Sequence, residues 1–244
     1  MSAKEVAANN FSSHLQSNPY PGRGIVVGRM ENSNNWAIVY FIMGRSENSR
    51  NRRFKFEGDR LWTEPVDLSK VTDPSLIIYD AMLALDGVQL VSNGDQTQTI
   101  YDFLKNGDCF VKALKSRERE PDAPNYTPRI SAMIDCTGDA PELKMSVLYA
   151  HATDTAKTDR ATFSPATPSE GYGYCLTTYM GDGNPLPSFS VMPLLMPLTG
   201  DADAILNAYW SALDKDNRVS LGVKEVDPSG KTVQIVVKNC HDGD

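Results

Sequence analysis

Arginine residues concentrate in one short segment of an acidic chain. Residues 45–60 carry six Arg or Lys side chains against three Asp or Glu, a local net charge of +3, whereas the 244-residue chain carries −7. The stretch Gly44–Arg52 adds Ser and Asn side chains as further hydrogen-bond donors. Guanidinium groups bind phosphate through paired hydrogen bonds. The segment therefore predicts an anion-binding loop, with a solvated surface loop as the alternative.

Three further segments place polar groups at the ends of predicted strands. Pro21-Gly22-Arg23-Gly24 precedes a strand, where its glycines allow a ligand to approach the backbone; a simple turn is the alternative. Residues 92–97 lie between a strand and a helix, so their N–H groups form either an anion site or a helix cap. Residues 120–130 form a proline-stiffened loop that delivers Arg129 into a strand.

Two side chains are candidates for proton transfer. Tyr79 lies in the apolar run 76–79, where a tyrosine is usually a core residue whose hydroxyl finds a partner. Nearby arginines would favour its phenolate and make it usable as an acid or base. Glu120 is a candidate general base or hydrogen-bond acceptor, with an ordinary surface carboxylate as the alternative.

Histidine and cysteine are scarce, and their spacing excludes the familiar metal motifs. The three histidines and four cysteines form no CxxC or HExxH pattern, so we expect no metal site. Scattered cysteines are typical of reduced thiols in a cytoplasmic protein. No apolar run approaches 18 residues, which predicts no membrane span. The acidic net charge argues against nucleic acid as a partner, since that affinity depends on Lys and Arg.

The strands and helices that must position the candidate site residues are predicted to form one domain. This domain covers residues 1–244, with residues 1–18 as an N-terminal helical extension. Hairpins outnumber helices, which predicts an α+β fold rather than a doubly wound parallel sheet. The predicted strands are residues 24–29, 35–43, 53–56, 61–66, 76–79, 88–91, 129–135, 144–151, 174–179, 219–226 and 231–238. The predicted helices are residues 4–17, 97–104, 108–117 and a segment that Asp201 caps.

Two segments give a weaker signal. Residues 80–85 fit a strand, but a helical turn fits them equally well. Residues 152–172 are polar and rich in Pro, Ser and Thr, which favours a loop or irregular excursion.

Five motifs occur in order between residues 20 and 135. They are Tyr20-Pro-Gly-Arg-Gly24, Gly44-Arg-Ser-Glu-Asn-Ser-Arg-Asn-Arg52, Ile78-Tyr-Asp80, Val91-Ser-Asn-Gly-Asp-Gln-Thr97 and Asn125-Tyr-Thr-Pro-Arg-Ile130. Each motif alone is weak, but their order and spacing resemble the archaeal-type inosine monophosphate (IMP) cyclohydrolase family and its bacterial relatives. A weaker match continues through Thr177-Thr-Tyr179 and Leu186-Pro-Ser-Phe189.

The resemblance implies a four-layer αββα sandwich like that of N-terminal nucleophile hydrolases, without their self-processing. Ser2 would follow a removed Met1, but it opens a polar helical segment rather than a buried strand. It is therefore a poor N-terminal nucleophile.

The resemblance also implies a reaction, closure of the purine ring of 5-formamidoimidazole-4-carboxamide ribotide with loss of water, and a purine ribonucleotide as partner. The implied reaction requires no cofactor and no metal. It implies Tyr79 and Glu120 as the proton-transfer pair, and Arg45 and Asn93 as oxyanion donors. The implied substrate contacts are Arg23, Ser46, Asn51, Arg52, Asp95, Tyr126, Thr127, Arg129 and Tyr179. Two alternatives are a non-catalytic nucleotide-binding or regulatory protein and an amide hydrolase on the same fold, and a homo-oligomer is compatible with each.

This sequence departs from the archaeal pattern in two places. Asp95-Gln96 stands where those members carry Ser-His, which removes a possible imidazole acid or base. Extra residues lie between Ser46 and Asn51, so the resemblance gives no role to Arg50.

Overall fold

A computed structural model describes residues 1–71 and 78–242, and its strands form two antiparallel sheets. The first sheet has the order β11-β10-β1-β2-β12-β13. Its strands are β1 (Gly24–Arg29), β2 (Trp36–Met43), β10 (Tyr172–Thr177), β11 (Leu194–Pro197), β12 (Arg218–Val226) and β13 (Thr232–Asn239). The strand pairs β1–β2 and β12–β13 are the predicted first and last hairpins, which confirms both.

The second sheet has the order β3-β4-β5-β6-β7-β8-β9, which is the order of the chain. Its strands are β3 (Arg53–Glu57), β4 (Arg60–Glu64), β5 (Asp80–Leu85), β6 (Val88–Ser92), β7 (Arg129–Asp135), β8 (Glu142–His151) and β9 (Asp154–Phe163). Each strand pairs with the next one along the chain, so this sheet is built from successive antiparallel connections.

Two expectations change in the second sheet. Residues 80–85 form strand β5 and not a helical turn, because Met82–Leu85 pair with Val88–Val91. The expected loop over residues 152–172 is wrong in its first half, since β9 pairs with β8 along most of its length. Residues 72–77, where the expected strand 76–79 begins, lie outside the described residues, and Ile78 and Tyr79 precede β5 without belonging to a strand.

The helices are short and lie outside the two sheets. They are α1 (Ala3–Phe11), which continues as a π-helical turn over Ser12–Gln16, α2 (Glu47–Arg50), α3 (Gln96–Lys105), α4 (Phe110–Lys115) and α5 (Ala202–Ala212). The Asp201 carboxylate accepts a hydrogen bond from the Ala204 N–H at 2.8 Å, which confirms the predicted cap. A further single turn of 3₁₀ helix covers Leu68–Lys70.

The strands alternate between two apolar interiors because successive side chains point to opposite faces. On β2, Trp36, Ile38 and Tyr40 pack between the sheets, while Val39 and Phe41 face the cluster that contains α5. On the second sheet, Leu90 and Met133 pack against α3 and α4 with Ile100 and Phe110. The result is an α+β fold in which two sheets face each other and helices cover their outer surfaces.

The segments that contain the candidate functional residues lie at the ends of neighbouring strands. In the first sheet, β1 begins where β2 and β10 end, since Gly24 pairs with both Phe41 and Thr177. In the second sheet, β6 ends where β7 begins, with Ser92 paired to Ser131. The loops that carry the sequence motifs therefore begin or end at these strand ends.

Candidate active site

A cleft of about 430 Å³ opens beside the segment that leads into β1 and the loop that follows β2. Six of the predicted site residues line it: Arg23, Arg45, Ser46, Arg52, Thr127 and Tyr179. The lining also includes Tyr20, Gly22, Met43, Ser49, Asp122, Pro124, Asn125, Thr178, Gly183, Asn184 and Leu186. Arginine, hydroxyl and amide groups dominate these walls, which suits a polar anionic ligand.

Arg23 is held in place by the close approach of its backbone to the end of β10. The Arg23 N–H donates to the Thr178 hydroxyl at 3.1 Å, and the Thr178 N–H donates to the Arg23 carbonyl at 2.9 Å. Gly22 has a φ of +78°, and a Cβ there would lie 2.2 Å from the Thr178 hydroxyl oxygen. Glycine is required at this turn because only it satisfies both constraints.

Arg23 and Glu120 form the buried ion pair of the site. The Arg23 Nη1 lies 3.3 Å from both carboxylate oxygens of Glu120, which is 4% exposed. Burial raises the pKa of the Glu120 carboxyl, and the positive charge of Arg23 opposes that rise. Glu120 is therefore a carboxyl group whose protonation is closer to neutral pH than that of a surface glutamate.

Arg52 gives this cluster an excess of positive charge. Its side chain is 4% exposed, and its Nε donates to the Ser49 carbonyl at 2.8 Å. Its Nη1 is buried and has no hydrogen-bond partner among the described residues. Burial and the nearby charge of Arg23 lower the pKa of Arg52. A buried guanidinium without a carboxylate of its own is costly unless a ligand supplies the missing negative charge.

Arg45 lies on the outer rim of the cleft. Its guanidinium stacks on the Tyr20 ring, with the Cζ atom 4.1 Å from the ring centroid, and its Nη1 lies 2.6 Å from the Asp182 carboxylate. The hydrogen bond from Arg45 lowers the pKa of Asp182. This pair is exposed, so it is open to exchange with a ligand.

Ser46 begins helix α2 and shapes the same rim. Its hydroxyl accepts from the Ser49 N–H at 3.1 Å, and the Ser46 N–H donates to the Ser49 hydroxyl at 2.9 Å. This reciprocal cap fixes the turn that carries the Ser49 carbonyl to Arg52.

A chain of hydroxyls and a carboxylate forms the opposite wall. The Thr127 and Tyr179 hydroxyls lie 2.7 Å apart, and the Thr127 hydroxyl also donates to Asp122. The Tyr179 ring stacks on Tyr20, with centroids 6.0 Å apart. Burial raises the pKa of Tyr179 to about 12, so its hydroxyl stays protonated at neutral pH.

Tyr79 is not a lining residue of the cleft, but it lies close enough to Arg23 and Arg52 to interact with their charges. Its hydroxyl is 2.7 Å from the Tyr40 hydroxyl, and both groups are buried. The Tyr79 backbone is fixed by Thr63 of β4, since the Tyr79 N–H donates to the Thr63 hydroxyl and the Thr63 N–H donates to the Tyr79 carbonyl. The charges of Arg23 and Arg52 act on both phenols.

Asn93 and Asn51 have their side-chain amides occupied by the protein. The Asn93 oxygen accepts from Gln96 Nε2 at 2.8 Å and from the Ile130 N–H at 2.9 Å, while its Nδ2 donates to the Pro128 carbonyl. Asn51 exchanges two hydrogen bonds with the Asp67 backbone. Both residues support the loops behind the site, and their contact with substrate stays a prediction.

Arg129 and Asp95 bind each other beside the site. The Arg129 Nη1 donates to Asp95 at 2.8 Å and to the Gln96 side-chain oxygen at 2.7 Å, and Asp95 also pairs with Arg117. A Cβ on Gly94 would lie 2.9 Å from the Arg129 Nη1 and 3.6 Å from Glu120 Oε1. Arg129 therefore lies near Glu120, and its positive charge, like that of Arg23, opposes the rise that burial causes in the pKa of Glu120.

The side chains of Tyr126 and Arg50 contact protein groups outside the cleft lining. The Tyr126 ring lies under the Arg119 guanidinium, with 4.4 Å from Cζ to the centroid. The Arg50 Nη1 donates to the Asp216 carbonyl, which keeps it out of the cleft lining.

The sequence interpretation missed several residues of the site. Tyr40 is the most informative, because a tyrosine in the otherwise apolar run of β2 is the available signal for a buried polar contact. Ser49, Asp122 and Asp182 gave no signal, because their roles depend on loops that meet only in the folded chain.

The described residues offer neither a metal site nor a membrane-spanning helix. They contain no group of three or more His, Cys, Asp or Glu that could hold a metal ion. Among the same residues, no helix is long and apolar enough to cross a membrane.

Comparison with known proteins points to one family. The model of the "IMP cyclohydrolase-like protein" family matches residues 20–230. A protein named IMP cyclohydrolase from Methanopyrus kandleri is 28% identical over 179 residues, which cover 72% of this chain and 82% of that protein. Proteins of the same name from Methanothrix thermoacetophila and Methanocaldococcus jannaschii are 32% and 31% identical over 119 residues, about half of this chain and 57% of each relative. The chain belongs to the IMP cyclohydrolase-like family.

Proposed function

We propose that this protein is an IMP cyclohydrolase of purine biosynthesis, the activity for which its three archaeal relatives are named. Its substrate is 5-formamidoimidazole-4-carboxamide ribotide, and its product is IMP. The observation that carries this proposal is the buried Arg52 Nη1 with no partner among the described residues, next to Arg23 in the wall of the cleft. A ribotide phosphate supplies the negative charge that these guanidiniums lack.

The reaction joins two groups of one molecule. The carboxamide nitrogen attacks the formyl carbon, and one nitrogen proton passes to the formyl oxygen. The C–O bond of the resulting tetrahedral intermediate then breaks, and water leaves with a second nitrogen proton. Because both reacting groups belong to the substrate, the main task of the protein is to hold the productive rotamer, which contributes several kcal/mol.

Anchoring and proton transfer are assigned to different parts of the site. Arg23, Arg52 and Ser46 hold the phosphate end, and Arg45 stabilises the oxyanion after it exchanges Asp182 for substrate. Tyr79 and Glu120 move the protons, which contributes on the order of 10²–10⁴ in rate. Asn93 and Arg129 act by holding the loop that carries Glu120.

We also propose that the α+β fold is a four-layer αββα sandwich of the N-terminal nucleophile hydrolase type, without self-processing, as the family resemblance implies. Helices on the outer surfaces of two facing sheets support it. Ser2 supports the absence of self-processing, because its hydroxyl accepts from the Glu5 N–H as the exposed cap of α1.

We also propose a cytoplasmic homo-oligomer that binds no nucleic acid. Four free cysteines support a reducing compartment. An apolar groove that includes the exposed Val191 and Met192 beside edge strand β9 supports self-association. Sedimentation equilibrium measures the mass directly, and a mass of one 26.9 kDa chain contradicts the oligomer.

Incubation of the purified protein with the formamido ribotide tests the function. We expect IMP to accumulate catalytically in metal-free buffer. Tight binding of IMP without turnover supports the regulatory alternative instead. Release of an amine or ammonia from an amide substrate supports the hydrolase alternative, and full activity with Met1 retained excludes an N-terminal nucleophile.

A further inference from the structure

Two buried phenols, Tyr40 and Tyr79, share one hydrogen bond between their hydroxyls. Tyr40 lies on β2 and is fully buried. Among the described residues, the partner of its hydroxyl is the Tyr79 hydroxyl, at 2.7 Å. If Tyr79 donated this bond, the Tyr40 proton would be buried without an acceptor, which costs free energy. If Tyr40 donates, its proton is satisfied, and the Tyr79 proton is left for a ligand. Tyr79 is 6% exposed against 0% for Tyr40, and it interacts more strongly than Tyr40 with Arg23 and Arg52 of the cleft wall, so Tyr79 is the phenol on the cleft side of the pair.

The surroundings of the pair favour the same direction. The ionised groups that act on the phenols are Arg23 before β1 and Arg52 before β3, with Glu120 paired to Arg23. Guanidinium groups only donate, so the phenol proton that is not used within the pair needs a ligand as its acceptor. Burial raises the pKa of Tyr40 well above that of an ordinary tyrosine, which keeps Tyr40 protonated and able to donate. The Tyr40 ring is held by a stack on Phe54, with centroids 5.3 Å apart.

We infer that Tyr40 is a positioning residue, which donates its buried hydrogen bond to the Tyr79 oxygen and thereby leaves the Tyr79 proton available to the reacting groups. The inference rests on the proposed function, in which Tyr79 transfers a proton. Tyr40 acts only through Tyr79. It also stabilises the Tyr79 phenolate when that proton has been given up, because a hydrogen bond to a charged acceptor is stronger than one to a neutral acceptor.

The test is the pH dependence of IMP formation by the purified protein. The ionisation that disappears in Tyr79→Phe is assigned to Tyr79. In Tyr40→Phe we expect this ionisation to move up by about one pH unit, because the phenolate loses one donor. The same variant lowers kcat at neutral pH several-fold and leaves KM within about twofold.

Tyr209→Phe is the matched control. Its hydroxyl is also buried and donates to the Pro197 carbonyl at 2.8 Å, but it lies in the cluster around α5. Loss of this hydrogen bond affects stability without affecting Tyr79. An equal shift in both variants, or no shift in Tyr40→Phe, overturns the inference. So does a Tyr79→Phe variant that retains every ionisation of the wild type.

A second measurement covers the case in which Tyr40→Phe does not fold. Incorporation of 3-fluorotyrosine at position 40 makes the phenol a stronger donor, so the Tyr79 ionisation should move to lower pH. An unchanged profile overturns the inference as well. Failure of the proposed function gives a different result, since the wild-type protein then forms no IMP at any pH.

Discussion

At the scale of single residues, the cleft carries more positive than negative charge in its buried part. Arg23 has Glu120 as a partner, whereas the Arg52 guanidinium has, among the described residues, one hydrogen bond to the neutral Ser49 carbonyl. Burial of this unbalanced charge costs free energy, and a bound anion would offset that cost. The local net charge of residues 45–60 predicts an excess of positive charge, but charge alone does not distinguish Arg52 from Arg50. Arg50 lies outside the cleft lining.

Arg52→Ala is expected to weaken substrate binding more than turnover. Loss of a charge-assisted hydrogen bond costs about 1.5–3 kcal/mol, so KM should rise roughly 10- to 100-fold while kcat changes little. Melting temperature should stay level or rise, because the variant no longer buries an unpaired charge. Arg53→Ala is the control, since the Arg53 guanidinium pairs with Glu64 on the neighbouring strand and does not line the cleft. An unchanged KM in Arg52→Ala, or an equal rise in the control, contradicts the assignment.

Tyr79→Phe is expected to show the opposite kinetic pattern. Removal of one hydroxyl deletes a proton-transfer group while the ring continues to pack, so kcat should fall by on the order of 10²–10⁴ with little change in KM. Steady-state kinetics with the formamido ribotide measure both constants. An unchanged kcat removes Tyr79 from the mechanism.

At the scale of elements, the site depends on segments that lie at the ends of neighbouring strands. The N-terminal extension is one of them, because His14 anchors it to the end of β10. The His14 Nε2 lies 2.8 Å from the Thr177 hydroxyl, which itself donates to the Tyr179 carbonyl. The extension predicted from composition thus supports a wall of the cleft.

His14 should make the protein sensitive to mild acid. Burial lowers the pKa of His14 to about 4, whereas the unfolded chain binds this proton near pH 6.5. Between these values the unfolded state holds more protons, so the free energy of unfolding falls as pH decreases, by about 3 kcal/mol in total. Urea unfolding from pH 7 to pH 4 measures the slope.

His14→Gln should remove this contribution, because glutamine retains a donor near the Nε2 position and does not titrate. His151→Gln is the control, since His151 is partly exposed and bonded to Asp159. The interpretation is wrong if His14→Gln retains the wild-type pH slope.

At the scale of the whole molecule, a buried lysine joins the two sheets. Lys224 on β12 is fully buried, and its Nζ donates to Gln89 on β6 at 2.9 Å and to the Asp59 carbonyl in the β3–β4 turn. Burial lowers the pKa of Lys224 to about 8. The lysine hydrogen-bonds across the interface between the sheets and carries a desolvation cost when it is charged.

Lys224 should consequently make a contribution to stability that rises with pH in the alkaline range. Between about pH 8 and pH 10.5 the unfolded state retains a lysine proton that the folded state has lost, so the contribution of Lys224 to the free energy of unfolding increases by roughly 3 kcal/mol. Cys175 contributes with the opposite sign, because burial raises its pKa, so the test is the difference between two variants. Lys224→Met should lack the lysine contribution, whereas Lys231→Met on an exposed turn should retain it. Urea denaturation at four pH values between 7.5 and 10.5 distinguishes the two variants.

The sequence by itself determined the α+β class, both terminal hairpins, the cap at Asp201 and the arginine segment, because each depends on alternation, turn residues or charge within a few positions. It misread β9, whose polar residues form a strand by pairing with β8. It also could not find the Tyr40–Tyr79 bond or the unpaired Arg52 Nη1. Tertiary structure decided these features, because burial and partner choice depend on groups that are distant in the chain and meet only when the two sheets pack.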